Sequence, residues 1–155
     1  MLRQFSYERD AGPLASVEEL RSGWETGNCR RAVQLYEYER REIFLNPEEV
    51  LCPEAYHSTG EFVFKKGEPI DPSQLQDGDI AYAERIRNTK EEAIDKSEDT
   101  FASEDEYVVS LHTAVYTGTP GAEIWHATFI EGGSCYWPLE KFLYFYKPVA
   151  VKRIA

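Results

Sequence analysis

Cys29, His112 and His126 are the residues of this chain whose types and positions best suit joint chemistry. Cys29 stands where a helix should begin, in Gly27-Asn28-Cys29-Arg30-Arg31-Ala32-Val33-Gln34-Leu35-Tyr36. His112 opens a segment with strand character, and His126 lies in the next one. A thiol, a general base and a group that orients the base form the minimum set for nucleophilic catalysis. Cysteine attacks as the thiolate, so its pKa must fall from about 8.5. As the first helical residue, Cys29 would sit at the positive end of the helix dipole, and an imidazolium at His112 would add to that field. The Cys29 backbone N–H, a donor that a helix start leaves unused, is suited to one half of an oxyanion hole. Arg30 and Arg31 add positive charge, although helix geometry directs them away from Cys29.

Strand alternation puts His112, Ala114 and Tyr116 on one face, and Ile124, His126 and Thr128 on one face of the following strand. A hairpin centred on Thr119 pairs Tyr116 with Ala122, Ala114 with Ile124, and His112 with His126. Direct cross-strand partners have Cβ atoms about 4.5–5.5 Å apart, so His126 could fix the ring orientation and tautomer of His112. A slip of one residue would break this arrangement. His57 falls in an irregular stretch and reads as structural. Cys52 and Cys135 read as small buried hydrophobes. Three cysteines at wide spacing argue against a disulfide framework. There is no CxxC or HxxxH pair, and no carboxylate or second cysteine stands at ligand spacing to Cys29, His112 and His126. We therefore expect no metal and no cofactor.

These residues need elements to hold them. Ser16 can cap a short helix to Arg21, with Glu19 completing a capping-box pattern. Asn28 is a good N-cap for a helix from Cys29 to about Phe44, ended by Asn46-Pro47. Its apolar positions include Ala32, Val33, Leu35, Tyr36, Ile43 and Phe44. Glu61 to Lys65 reads as a short strand. Gln76-Asp77-Gly78-Asp79 is a turn leading into a strand from Ile80 to about Ile86. Asn88 to Glu106 is acidic and polar and reads as a solvated segment. Strands are expected over Tyr107–Thr117, Glu123–Ile130, Ser134–Trp137 and Val149–Ile154, while Leu139 to Tyr146 is too aromatic to assign. Helices first and an antiparallel sheet second make an α+β layout.

With 155 residues, the chain fits one domain over 1–155 with a proper core. A net charge of −11 sets nucleic acid and anionic membranes aside as partners. No apolar run approaches the roughly 20 residues of a membrane helix, and residues 1–10 lack the apolar core of a signal peptide. The expectation is a soluble cytoplasmic protein.

Four segments resemble the NlpC branch of the papain-like cysteine peptidases. Asn28-Cys29 and its helix resemble that family's Asp-Cys helix start. Leu75-Gln76-Asp77-Gly78-Asp79-Ile80-Ala81-Tyr82 resembles its Leu-Gln-Pro-Gly-Asp turn into a strand. His112-Thr113-Ala114-Val115-Tyr116-Thr117-Gly118 and Ile124-Trp125-His126-Ala127 resemble its two histidine strands, and Ala150-Val151-Lys152-Arg153-Ile154 its final strand. The resemblance implies a papain-like α+β fold with a nucleophile-bearing helix packed on an antiparallel sheet. It implies Cys29 as nucleophile, His112 as base, His126 as polar third residue, and amide bonds of peptidoglycan stem peptides as substrates. This chain departs from the family at Asn28, where Asp is usual, and at Arg30, where a small residue is common and where the larger side chain would narrow the site. The family's oxyanion tyrosine, about a dozen residues before the cysteine, is replaced by Val17.

Three functions remain open: a peptidase or amidase working through a Cys29 acyl-enzyme, an acyltransferase or protein deamidase on the same fold, and a catalytically inactive binding domain. The first two need a peptide or amide substrate as partner.

Overall fold

A single helix organises the molecule. In the computed structural model, which describes residues 2–50, 60–65, 67–86 and 111–154, α2 spans Cys29–Arg41. It follows strand β1 (Ser6–Tyr7), helix α1 (Val17–Arg21) and strand β2 (Thr26–Gly27). Asn28 begins α2 as expected, its side-chain oxygen accepting from the Arg30 backbone N–H at 3.0 Å. The helix ends at Arg41 rather than near Phe44, and Asn46-Pro47 plays no part in stopping it. Glu42 adopts a left-handed conformation with φ 58°, and the Ile43 N–H returns to the Glu37 carbonyl. Beyond the reversal, Ile43 and Phe44 pack against the core. In α1 the Ser16 hydroxyl accepts from the Glu19 N–H, but the Glu19 carboxylate takes the Ala15 N–H instead of that of Ser16.

The remaining strands are β3 (Glu61–Phe64), β4 (Asp79–Arg85), β5 (His112–Tyr116), β6 (Ile124–Thr128), β7 (Gly133–Trp137) and β8 (Tyr146–Arg153). They join β1 and β2 in one eight-stranded sheet of order β2-β1-β7-β6-β5-β4-β8-β3. All neighbours are antiparallel except β1 and β2, which pair in parallel, so the sheet is mixed rather than purely antiparallel. The aromatic run left unassigned from sequence is a helix, α3 (Leu139–Phe145), and the last strand begins directly after it, three residues earlier than expected.

Among the described residues, the two largest apolar clusters flank the sheet. On one face Ala32, Val33, Leu35 and Tyr36 of α2 pack with Ile80, Tyr82, Val115, Trp125 and Ala127. On the other, Phe142 of α3 packs with Ala83, Ala114, Ile124, Trp137 and Tyr146. The two groups take alternate residues of β4, β5 and β6, as a sheet covered on both faces requires. Gln34, fully buried, ties α2 to its surroundings by exchanging hydrogen bonds with the Leu14 backbone and donating to the Leu45 carbonyl at 2.8 Å. No helix among the described residues is long and apolar enough to cross a membrane. Cys52, His57, the acidic segment 88–106 and the 107–110 part of the strand expected over Tyr107–Thr117 lie outside the described residues.

Candidate active site

The start of α2 lies at the start of β5, and this junction assembles the candidate site. Arg30, the second residue of the helix, donates from Nη2 to the Leu111 carbonyl at 3.0 Å, immediately before His112. Cys29 is 3% exposed, and His112 and His126 are fully buried. The imidazoles meet directly, with His112 Nε2 2.8 Å from His126 Nδ1.

They do not meet by the expected register. Tyr116 pairs with Ile124 and Val115 with Trp125, two positions away from a hairpin centred on Thr119. The cause is the connection. Its tight turn runs from Thr119 to Ala122, whose N–H bonds the Thr119 carbonyl at 2.9 Å. Pro120 and Gly121, with φ 80° at Gly121, fill the turn's central positions. The Thr117 N–H closes the loop on the Glu123 carbonyl at 2.6 Å. A shift of two keeps side-chain parity, so both histidines stay on one face. Continued along the strands, this register sets Ala114 across from His126, and the long imidazoles bridge the diagonal. On the far side His126 pairs with Cys135 of β7, which is half-buried beside the α3 core.

That face belongs to α3. The His112 ring stacks on Tyr146, with centroids 4.2 Å apart and planes 14° apart. The His126 ring stands edge-on to Trp137 at 4.4 Å and to Phe142 at 5.6 Å. The Tyr146 hydroxyl is itself held by Thr128 Oγ1 at 2.9 Å. Aromatic walls therefore fix both imidazole planes. Sequence reading missed these residues; the visible signal was the dense aromatic run from Phe142 to Tyr146.

The electrostatics follow from this enclosure. Burial pushes the Cys29 thiol up, but the charge of His112, the charge of Arg30 and hydrogen bonds from His112 and Thr113 outweigh it and bring the thiol down to about 6. Burial holds His126 well below the ordinary imidazole range, with the charges of His112 and Lys141 acting in the same direction. His126 therefore stays neutral. His112 Nε2 is engaged by His126, and the His112 side chain also hydrogen-bonds the Cys29 thiol. When His112 is an imidazolium, its Nε2–H must donate, and His126 accepts at Nδ1 with its own proton on Nε2. That Nε2 is buried with no hydrogen-bond partner among the described residues.

Arg30 departs from the sequence reading. Its side chain does not leave the thiol: Nη1 lies 3.7 Å from Cys29 Sγ, and the residue is buried. Arg31 behaves as expected, turning away to the Gly12 carbonyl at 2.9 Å and to the Thr26 carbonyl. Leu111, whose carbonyl draws Arg30 back, is far away in sequence, so no local pattern reveals the contact.

The chain has an NlpC-type fold. Its structure is similar to that of NlpC1 from Trichomonas vaginalis, with a TM-score of 0.53 and 18% identity over 97% of this chain. It is also similar to NlpC2 from the same organism, with a TM-score of 0.52 and 16% identity, again over 97% of this chain. The chain spans about two fifths of each of those longer chains, 39% and 41%. No family model and no curated protein matches the sequence.

Proposed function

We propose that this chain is a cysteine hydrolase that cleaves an amide bond through a thioester on Cys29. The observation that carries the reading is the convergence of a depressed thiol at a helix start with a base whose second nitrogen is already engaged, 2.8 Å from His126. Cys29 is the nucleophile, His112 the base that becomes the acid for the leaving amine, and His126 the residue that fixes the His112 tautomer. Asn28 caps the helix, leaving the Cys29 N–H for the developing oxyanion. The NlpC-type fold directs the search to peptides of the peptidoglycan stem.

The test incubates the protein with peptidoglycan stem peptides and with a pool of ordinary peptides, read by mass spectrometry, beside Cys29→Ala. Cleavage by the parent and none by the variant is the expected outcome. Cleavage that survives in Cys29→Ala would end the proposal. Amine-capped products in place of acids would move the chemistry to acyl transfer. A non-catalytic binding domain draws on one observation, the burial of Cys29, His112 and His126 together. It predicts a Cys29 inert to alkylation across the pH range.

A further inference from the structure

Two contacts of Arg30 among the described residues define its orientation. One guanidinium nitrogen, Nη2, is anchored on the Leu111 carbonyl at 3.0 Å, and the other, Nη1, faces Cys29 Sγ at 3.7 Å. Anchoring one arm of a planar fork fixes the direction of the other. An acyl carbon attacked by Sγ carries its oxygen within a few ångströms of the sulfur, so a donor aimed at Sγ is close to the place where that oxygen becomes negative. We infer that Arg30 is a catalytic residue of this site and supplies the side-chain donor of its oxyanion hole. The inference rests on the cysteine-hydrolase reading and extends it.

The charge movement fits a cation in this position. In the attack, a sulfur electron pair forms the S–C bond and the carbonyl π pair moves onto oxygen, so the negative charge passes from sulfur to oxygen. The guanidinium is beside the charge before and after. The oxygen pair then re-forms the carbonyl, the C–N bond breaks, and the amine leaves with the proton held by His112. Water attacks the thioester next and gives its proton to His112, and the S–C pair returns to sulfur as thiolate. In this scheme Arg30 exchanges no proton, in keeping with a group that stays charged at working pH. Among the described residues, the groups facing the sulfur are His112 and Thr113 from β5 and Arg30 from α2.

Two probes separate this role from simple stabilisation of the thiolate. p-Nitrophenyl acetate acylates Cys29 through an oxyanion, whereas iodoacetamide alkylates it without one. Both rates are measured at pH 9, where the thiolate is fully formed, for the parent, Arg30→Gln, Arg30→Lys and Cys29→Ala. The expected result is a Cys29-dependent p-nitrophenolate burst that falls roughly 100-fold in Arg30→Gln, with alkylation changed less than about threefold. Arg30→Lys, whose single ammonium cannot hold Leu111 and the oxyanion together, should lose about tenfold and keeps the test open if Arg30→Gln does not fold. Equal acylation by the parent and Arg30→Gln overturns the role of Arg30 and leaves the hydrolase reading standing. So does a parallel loss of acylation and alkylation. A parent without any Cys29-dependent burst overturns both.

Discussion

At its N-terminal end α2 buries Cys29 and Arg30 against two imidazoles, whereas two turns later it buries Glu37 beside Arg41, next to the turn that carries Asp77 and Asp79. Both regions join the same helix to the same sheet, yet they manage charge differently. In the second region Glu37 Oε2 accepts from Arg41 at 3.2 Å, and Asp79 takes a two-pronged contact from Arg153 at 2.9 Å. Arg41 also closes onto the Ile154 carbonyl and fills the space where a Cβ at Gly78 would stand. Gly78 has φ 93°, so both the turn and the close approach of Arg41 require glycine there. Here each buried carboxyl group faces its own arginine. In the first region the proton can move: the thiol and His112 can be neutral together or charged together, and only Arg30 is fixed. One end of α2 sets buried carboxyl groups against arginines, the other sets a thiol against an imidazole.

The most direct way to break this contrast is to remove the movable proton. His112→Phe keeps a ring against Tyr146 and Phe142 while deleting the base. Without the charge and hydrogen bond of His112, burial dominates at Cys29, and the thiol returns to or above its ordinary range. The rate of iodoacetamide alkylation at pH 6 should fall two to three orders of magnitude, because each unit of pKa changes the thiolate fraction about tenfold there. In the parent, the same assay should show a midpoint near pH 6. An unchanged midpoint in His112→Phe would leave the thiol depressed by Arg30 alone.

The sequence was most informative where structure is set locally. Asn28 before Cys29, Ser16 before Val17 and Asp77-Gly78 before β4 each carry their own backbone requirement, and each was legible. Strand parity also put His112 and His126 on one face without knowledge of the register. The register itself was misplaced by two, because it depends on which four residues of the Thr117–Glu123 loop make the tight turn. The end of α2 was missed because Glu42 takes a conformation usually left to glycine or asparagine, so no residue type at that position marks the stop. Strands β1 and β2 have two residues each and leave no periodic signal. Arg30 was read from ideal helix geometry, which carries no information about a carbonyl supplied by Leu111.

A second prediction strikes the carboxylate–arginine pairs. Asp79 is almost fully buried, and its partner Arg153 is about a third exposed. Asp79→Ala leaves Arg153 with the Gln74 carbonyl and solvent, and it also removes the acceptor for the Gln76 N–H that closes the turn. Loss of a buried ion-pair member, discounted for the exposure of Arg153, should lower stability by about 2–3 kcal/mol in urea denaturation. The pH midpoint of Cys29 alkylation should not move. A shift of that midpoint would mean that the two ends of α2 are electrostatically joined.

The smallest effect separates the two regions by pH alone. Burial pushes Glu37 up to about 7, opposed by the charge of Arg41 and helped by those of Asp77 and Asp79. Its folded-state pKa thus lies above the ordinary value of 4.5. The native chain holds more protons than the unfolded chain between these values, so this contribution is fully present below pH 4.5 and is lost as pH rises through 7. From pH 5 to 7 the parent should lose about 2 kcal/mol through this group. Glu37→Gln cannot ionise, so its unfolding free energy should be flatter by that amount over the same range, while its pH 7 stability stays close to that of the parent. Denaturation curves at half-unit pH intervals provide the measurement. An identical slope in Glu37→Gln would place the titration elsewhere and would leave Arg41 as the group that keeps Glu37 ionised. The second region would then hold its charges as firmly at pH 5 as at pH 7, and the only proton free to move along α2 would be the one between Cys29 and His112.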